Sequence, residues 1–239
     1  MNPLPIFNQT YVLTTNFYDH RNTLSLQGTL DLMQNCAARH AYLLGAGRED
    51  LLKESLYWVI ARTEIEYISF PSLPTDVLVT TWPLAPNRFY FDRHYKIVDQ
   101  GSGQLIAKAR SRWVLVDAKT RKIVSSNRYA YPLNEFHQES LFSDDFTRIN
   151  VPQVKVGQYV VQPSDIDENG HLNNARYGNI IFNVLNQKEV VRIKWITINY
   201  SIEAFLHQQI ALFKEIKSSS ISISGVIDDK IIFSSEVKI

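Results

Sequence analysis

The sequence predicts an α+β protein in which one unit, an antiparallel β-sheet wrapped around a central helix, occurs twice. Three observations support this prediction: two segments near the start of the chain resemble two later segments, each copy begins with a strand and a helix, and a run of strands follows each helix. A chain of 239 residues is long enough for two such units.

The internal repeat consists of two matched pairs of segments in the same order. Residues 11–19 align with 159–167 at an offset of 148 (167 − 19), and residues 58–66 align with 195–203 at an offset of 137 (203 − 66). A deletion of 11 residues (148 − 137) between the two segments of the second copy accounts for both offsets. We therefore interpret the chain as a duplicated architecture.

In the first copy, apolar residues recur every three or four positions over 26–46 and predict an amphipathic helix that ends near Gly45 and Gly47. Alternating patterns predict strands after this helix, and a glycine-rich hairpin at 99–103 joins the last two. These strands are expected at about 57–69, 76–84, 88–98 and 104–116.

The second copy repeats this order with a shorter helix, expected at about 174–185. Its strands are expected near 190–203, 209–217, 219–227 and 230–238. Residues 125–152 show no sustained period and are interpreted as a linker between an N-terminal domain, 1–124, and a C-terminal domain, 153–239. A helix wrapped by an antiparallel sheet, used twice, is the double hotdog architecture.

Positive charge is concentrated in one part of the chain. The 25 basic and 24 acidic residues nearly cancel, which argues against a general nucleic-acid binder, but residues 88–128 carry 10 basic and 3 acidic side chains. Strand alternation predicts that these cations lie on the solvated face of the sheet, where they would bind an acidic partner or have no partner at all. The candidate carrier-binding residues are Arg88, Lys96, Lys108, Arg110 and Arg112.

The single cysteine, Cys36, cannot form an intramolecular disulfide, so a reducing compartment is expected. Its place on the apolar stripe of the first helix predicts a packing role. No signal sequence and no uncharged apolar run of about 18 residues is found, so we expect a cytoplasmic protein that does not bind membranes.

Polar residues are densest at 164–177, between the first strand and the helix of the second copy. A helix N-terminus offers free backbone N–H groups and a positive dipole, which suit an oxyanion or a carbonyl oxygen. We take the N–H groups near Asn173 and Asn174 as candidates for such a site. The side chains that converge there include Asp165, Asp167, Asn169 and His171.

This segment has three other interpretations. It begins like a calcium-binding loop, but Arg176 occupies the twelfth position, where that loop requires a bidentate Glu. A transition-metal site from Asp165, Asp167 and His171 would have no second His or Cys nearby. A structural loop that caps the helix is the third alternative.

The repeat favours a functional interpretation of the second copy. In the first copy, Asp19 and Glu66 match the carboxylates of Asp167 and Glu203, but Arg21 and Thr23 stand opposite Asn169 and His171. Only the second copy holds the complete polar set. We therefore expect chemistry in the second half and an apolar binding cavity in the first.

The pattern Asp-x-Asp-x-Asn-x-His-x-Asn-Asn-x-x-Tyr over 165–177, with Asn-Tyr-Ser-Ile-Glu over 199–203, resembles the acyl-(acyl carrier protein) thioesterases of plants and bacteria. Segments 58–62 and 112–122 share the resemblance, which covers about residues 10–239. It implies a double hotdog fold, cleavage of fatty acyl thioesters, an acyl carrier protein (ACP) as partner and no cofactor. The catalytic roles would fall on Asp167, Asn169, His171 and Glu203.

Plant members commonly have a Cys after the Glu, where this sequence has Ala204. A cysteine acyl-enzyme is therefore not expected, and Cys36 lies on the first-copy helix. We expect Glu203 to act as general base on water, with Asn169 and His171 positioning water or thioester. Asp167 would either orient this set or attack the thioester directly.

Several functional alternatives are compatible with the sequence. The substrate carrier could be coenzyme A, because its phosphates are also acidic, or the chain could bind acyl groups without catalysis. A homodimer is compatible with the sequence. The plant members' N-terminal targeting extension is missing, as expected for a bacterial protein.

Overall fold

The structure, a computed structural model, describes residues 4–73 and 76–239. The strands and helices alternate twice in the order strand, helices, strands. In chain order they are β1 (Phe7–Val12), α1 (Leu26–Leu44), α2 (Arg48–Lys53), β2 (Leu56–Tyr67), β3 (Asp76–Pro83), β4 (Phe91–Asp99), β5 (Leu105–Asp117), β6 (Ile123–Val124), β7 (Lys155–Val160), α3 (Tyr177–Val184), α4 (Gln187–Val190), β8 (Trp195–Tyr200), β9 (Gln209–Ile216), β10 (Ser220–Ile227) and β11 (Lys230–Lys238).

All strands belong to one antiparallel sheet with the order β1-β3-β4-β5-β2-β8-β11-β10-β9-β7, and β6 pairs with β5 beside this path. The order reads the same from both edges when β1–β5 are exchanged for β7–β11. The two halves meet where β2 pairs with β8, from Arg62 opposite Asn199 to Glu66 opposite Trp195. The predicted tandem architecture, in which each half is a set of antiparallel strands with its own helix, is therefore confirmed, and the two halves join into one sheet.

The longest helix of each half, α1 and α3, contributes to one continuous hydrophobic core. Ser25 caps α1, because its Oγ accepts a hydrogen bond from the Gly28 N–H at 2.9 Å, and Gly45 ends it with a left-handed φ of 72°. A Cβ on Gly178 of α3 would lie 3.0 Å from the Leu30 side chain and 3.1 Å from the Gln27 backbone of α1. Glycine at this position lets the two helices pack closely.

The start of the second half differs from the predicted elements. The predicted helix at 174–185 is a 3-10 turn, Asn174–Arg176, followed by α3, and the strand expected from 190 begins only at Trp195. The intervening α4 is set by a capping box, in which Asn186 Oδ1 accepts from the Glu189 N–H and Glu189 Oε2 accepts from the Asn186 N–H. This short local motif interrupts the apolar pattern on which the strand prediction was based.

The linker, residues 125–152, is packed along the outer face of the sheet. Its backbone carbonyl at Glu139 accepts from Trp82 Nε1 at 2.8 Å, and the Leu141 N–H donates to His94 Nδ1 at 3.2 Å. Phe142 is buried and contacts Trp195 of β8 edge-on, with ring centroids 5.5 Å apart. The linker therefore contacts strands of both halves, and the domain limits at 124 and 153 stay a prediction.

Candidate active site

The candidate site is built on a tight turn between β7 and α3. The Asp167 N–H donates to the His171 carbonyl at 2.9 Å, and Asp167 Oδ1 accepts from the Asn169 N–H at 2.8 Å and from the His171 N–H at 3.4 Å. Gly170 has a φ of 80°, a left-handed conformation that glycine adopts without steric cost. Asp167 thus fixes the path that presents Asn169 and His171.

Asp165 anchors the turn from within. Its buried carboxylate accepts from the Tyr159 hydroxyl at 2.7 Å and from the Gln162 N–H at 2.8 Å, and its carbonyl accepts from the Asn173 N–H at 2.9 Å. These bonds are those of a structural residue. Within residues 4–73 and 76–239, no group of three or more His, Cys, Asp or Glu residues is placed to hold a metal ion.

Glu203 reaches the turn from the loop that follows β8. Glu203 Oε1 lies 3.4 Å from His171 Nδ1, and the side chains are 41% and 22% exposed. The Leu172 N–H donates to the Ala204 carbonyl at 2.8 Å, which fastens this loop to the turn. The Phe205 ring packs edge-on against the imidazole, with centroids 5.0 Å apart. Two residues distant in sequence therefore form one solvent-accessible pair.

The four predicted catalytic residues form a connected set in the structure. Asn169 Nδ2 lies 3.4 Å from Asp167 Oδ2, Asp167 bonds the backbone of His171, and the imidazole of His171 faces Glu203. Catalytic hydrogen bonds are often long before substrate binds. This convergence was expected from the sequence, and the catalytic roles of the four residues stay a prediction.

The first copy contains the same turn with different side chains. The Asp19 N–H donates to the Thr23 carbonyl, Asp19 Oδ1 accepts from the Arg21 N–H at 2.8 Å, and Asn22, like its equivalent Gly170, has a positive φ. Arg21 binds Asp19 Oδ2 at 2.5 Å and donates to the Val190 carbonyl at 2.9 Å. This carboxylate is therefore neutralised by a structural ion pair. The match supports the duplication at the 148 offset.

The match between the carboxylates of Glu66 and Glu203 is weaker in the structure than the match between Asp19 and Asp167. Glu66 lies inside β2 and forms an ion pair with Lys108 at 2.8 Å, whereas Glu203 lies three residues beyond the end of β8. The expected superposition of Glu66 on Glu203 stays a prediction.

The prediction that the Asn173 N–H is an oxyanion donor is wrong. The Asn173 N–H is already bonded to the Asp165 carbonyl, and Asn173 Oδ1 accepts from the Ala175 N–H at 2.9 Å to cap the helical segment. The sequence pattern indicates the first turn of a helix, but it does not indicate that the preceding loop folds back and accepts a hydrogen bond from that turn. Of the two expected positions, Asn174 remains a candidate.

A small cavity lies between the two halves next to the turn. Asn174, Ala175 and Tyr200 line it from the second half, and α1, β2, β4 and β5 line it from the first with Leu30, Met33, Gln34, Ile60, Thr63, Tyr95, Ser111 and Trp113. Its volume of about 20 Å³ holds roughly one water molecule.

The five predicted carrier-binding cations do not form a solvated face. Arg110 is 7% exposed and binds Glu64 Oε2 at 2.5 Å, and its guanidinium stacks on Phe146, 4.1 Å from the ring centroid. Arg112 makes two bonds of 2.7 Å to the Asp92 carboxylate and contacts Asp145 at 3.0 Å. The prediction of exposure is wrong for these two arginines because the linker covers them.

The lysines of this group are also paired. Lys96 lies 2.7 Å from Glu139 of the linker, and Lys108 lies 2.8 Å from Glu66. Arg88 is exposed beside the Phe89 ring. A carrier-binding role for the five residues stays a prediction, now without the single open cationic face that motivated it.

Cys36 is a buried core residue. Its Sγ lies 3.7 Å from the Val79 carbonyl of β3, and burial raises the pKa of the thiol to about 11. Ala204, which follows Glu203, is fully buried. Over the described part of the chain, no helix has the length and apolar character needed to span a membrane.

Comparison with known proteins identifies relatives of both halves. The acyl-ACP thioesterase N-terminal domain family matches residues 5–128, and the acyl-ACP thioesterase C-terminal domain family matches residues 150–234. A chloroplastic palmitoyl-acyl carrier protein thioesterase from Arabidopsis thaliana is 25% identical over 186 residues, which are 72% of this chain and 45% of that protein. The chain thus spans about half the length of the curated relatives it matches.

Solved structures confirm the double hotdog fold. An acyl-ACP thioesterase from Bacteroides thetaiotaomicron superposes with a TM-score of 0.90 at 24% identity, covering 98% of this chain and 97% of that one. A 12:0-ACP thioesterase from Umbellularia californica gives a TM-score of 0.83 at 18% identity, with 98% and 96% coverage. Because the two domain families together match most of the sequence, the chain belongs to the acyl-ACP thioesterase family.

Proposed function

We propose that the protein hydrolyses fatty acyl thioesters of acyl carrier protein to free fatty acid and carrier thiol, as a step of fatty acid biosynthesis. The observation that carries this proposal is the solvent-accessible pair formed by His171, on the turn held by Asp167, and Glu203, whose Oε1 lies 3.4 Å from the imidazole Nδ1. Family membership and relatives named as acyl-ACP thioesterases support the thioester class and the carrier.

Hydrolysis of a thioester needs an activated water and a site that stabilises the tetrahedral oxyanion, because the thiolate leaves readily. Glu203 acts as the general base on water. His171 has Nδ1 toward Glu203, which leaves Nε2 for the water or the thioester, and the exposed amide of Asn169 assists in positioning. The Asn174 N–H is the oxyanion donor in this scheme.

Asp167 acts as an orienting residue in this mechanism. Its Oδ1 accepts from two backbone N–H groups, and its Oδ2 lies 3.4 Å from Asn169 Nδ2. A carboxylate that holds these donors is a weaker nucleophile than a free one. Direct attack by Asp167 to form an acyl anhydride is therefore the less favoured route.

The acyl chain binds in the first half, residues 1–124. The cavity beside Asn174 and Tyr200 runs to Met33 and Trp113, so a chain whose thioester lies at the turn would enter there. Its present volume of about 20 Å³ is far below the 300–1,000 Å³ or so of an ordinary ligand pocket, and side chains must move to admit an acyl group. The reduced, buried Cys36 is consistent with action in the cytoplasm.

The proposal is tested by thiol release from acyl-ACP, acyl-CoA and a small uncharged thioester over a range of acyl lengths. Glu203→Gln keeps a partner for His171 but cannot take a proton, so kcat should fall about 10²-fold or more on every substrate. Glu215→Gln, an exposed carboxylate on β9, is the matched control and should leave kcat unchanged.

Three results would redirect the proposal. A fully active Glu203→Gln variant would remove Glu203 from the mechanism. Wild-type turnover that is as fast on acyl-CoA as on acyl-ACP would favour an acyl-CoA thioesterase. Acyl binding without turnover on any carrier would favour a non-catalytic acyl-binding protein.

A further inference from the structure

The β5–β6 hairpin and the 3-10 turn that follows it, Ser126–Arg128, carry a group of exposed cations. We call Lys119, Arg121 and Lys122 of the hairpin, together with Arg128 of the turn that follows it, the hairpin patch; all four are exposed. In contrast to Arg110 and Arg112, they lie beyond the strand segment under Phe142 and Phe146. Within residues 105–128, the exposed positive charge therefore lies at and beyond the end of β5 rather than on its face.

The hairpin holds Lys119, Arg121 and Lys122 in a defined arrangement. Asp117 Oδ1 accepts from the Lys119 N–H at 3.0 Å and the Thr120 N–H at 2.8 Å, and the Asp117 carbonyl accepts from the Arg121 N–H at 2.9 Å. The Asp117 N–H donates to the Lys122 carbonyl at 3.0 Å. The Asp117 carboxylate is thus hydrogen-bonded to the backbone of its own turn. Lys119, Arg121 and Lys122 extend from this hydrogen-bonded loop.

The hairpin patch lies beside the candidate active site. The Ala118 N–H donates to the Ser55 carbonyl at 2.8 Å, just beyond α2. Arg48 at the start of α2 lies 3.7 Å from Glu168 of the turn that Asp167 holds. The hydrogen bond with the Tyr57 hydroxyl, together with the nearby charge of Glu203, raises the pKa of Arg121. The cations and the His171–Glu203 pair therefore share one end of the molecule.

Exposed apolar side chains accompany the charge. Ile123 follows Lys122 directly, and Phe205 and Leu206 follow Glu203 in the loop beyond β8; each is more than two-fifths exposed. Apolar groups next to charged ones are typical of protein–protein interfaces, where the apolar part is buried and the charges steer association. A free small thioester would need no such surface.

We propose that the hairpin patch is the docking surface for the acidic face of the acyl carrier protein and brings its thioester to the His171–Glu203 pair. This inference rests on the proposed function, because it assigns the surface that recognises the carrier of the same substrate. Oppositely charged surfaces raise the association rate, and the effect weakens as salt screens the charges.

The test reverses two patch charges that are not in contact with the catalytic pair, in Lys119→Glu/Lys122→Glu. Its matched control is Lys188→Glu/Arg192→Glu, which changes two exposed cations on and after α4, near the Asp19 turn, by the same total charge. Binding of unacylated carrier protein is measured by fluorescence anisotropy, and hydrolysis is measured on acyl-ACP, acyl-CoA and a small uncharged thioester.

We expect the patch variant to raise the Kd for the carrier and the KM for acyl-ACP about tenfold at low salt, since each reversal is worth a few-fold. The difference should shrink as the Debye length falls to about 8 Å at 0.15 M ionic strength. Turnover of the small thioester, the KM for acyl-CoA and every parameter of the control variant should stay within twofold of wild type.

Other outcomes would overturn the inference. If both variants raised the Kd for the carrier equally, net charge alone would account for the effect. If the patch variant raised the KM for acyl-CoA as much as the KM for acyl-ACP, the patch would bind phosphate groups. Loss of small-thioester turnover in the patch variant would mean that the hairpin supports the site itself. The two proposals can also fail separately: if the protein hydrolyses nothing but wild type binds carrier protein more tightly than the patch variant does, the proposed function fails while the docking surface stands.

Discussion

Replacing Arg110 tests the conclusion that this cation is structural. Its partner Glu64 is 1% exposed and also accepts hydrogen bonds from Trp195 Nε1 at 2.9 Å and Thr197 Oγ1 at 3.2 Å. Arg110→Met would keep most of the apolar contact with Phe146 but leave a buried carboxylate without its cation. Breaking a buried pair in this way costs about 3–5 kcal/mol.

That cost is a large part of the stability of a typical protein, about 5–15 kcal/mol. For a chain of this size, each kcal/mol lowers Tm by roughly 2–4 °C, so Arg110→Met should lower Tm by roughly 6–20 °C. Adding Glu64→Gln removes the stranded charge while keeping an oxygen for Trp195 and Thr197. The double variant should therefore recover most of the loss.

The assay is thermal and urea unfolding of the single variants, the double variant and Arg88→Met, an exposed cation that serves as the control. The control should leave Tm within about 1–2 °C of wild type, since isolated surface changes are worth about 0.5 kcal/mol or less. An Arg110→Met protein with unchanged Tm and a raised KM for acyl-ACP would refute the structural role and restore the carrier-binding one.

Two further predictions concern buried titratable groups. Cys36→Ala should leave thioesterase activity largely intact, because a buried thiol with its pKa raised to about 11 is almost entirely protonated at neutral pH; abolished thiol release in a folded variant would contradict this. Burial lowers the pKa of His94 and of His40 to about 4. Between pH 6.5 and 4 the unfolded state therefore binds more protons than the folded state. The free energy of unfolding should fall as pH falls, by up to about 1.4 kcal/mol per pH unit for each histidine. Urea unfolding at pH 7 and pH 5 checks this, and His94→Gln should reduce the slope by about half; an unchanged slope would show that His94 is not buried in its neutral form.

Local patterns were enough to predict most of the regular elements. The apolar stripe and Gly45 defined α1, and alternation located β2, β3, β4 and β5 to within a few residues. These signals are local because a helix or strand displays its buried face in its own period. The short α2, α4 and β6 have too few residues to show a period and were missed.

The burial of Arg110 and Arg112 could not be predicted in the same way. Alternation indicates which residues share a face of a strand, but not what covers that face. Here the cover is the linker, whose Phe142 and Phe146 occur in a segment without periodicity. The relevant contacts join residues more than thirty positions apart, and only the folded chain shows them.

The candidate site was predicted more completely because its residues are marked by the repeat. Asp19 and Asp167 hold the same backbone turn, so the turn itself is structural and by itself implies no chemistry. The two copies differ in what occupies that turn. In the first, Arg21 neutralises Asp19 and bonds the backbone of α4.

In the second copy, Asn169 takes the position of Arg21, and no cation is contributed from within the turn. His171 takes the position of Thr23, which lets an imidazole face the carboxylate of Glu203 at 3.4 Å. The inherited turn thus supplies rigidity in both halves, and the proposed catalysis in the second half depends on a few side-chain differences between them. On this reasoning, placing an arginine at position 169 should convert the second turn into a structural one, with Asp167 paired to it and the approach to His171 blocked, without loss of the fold.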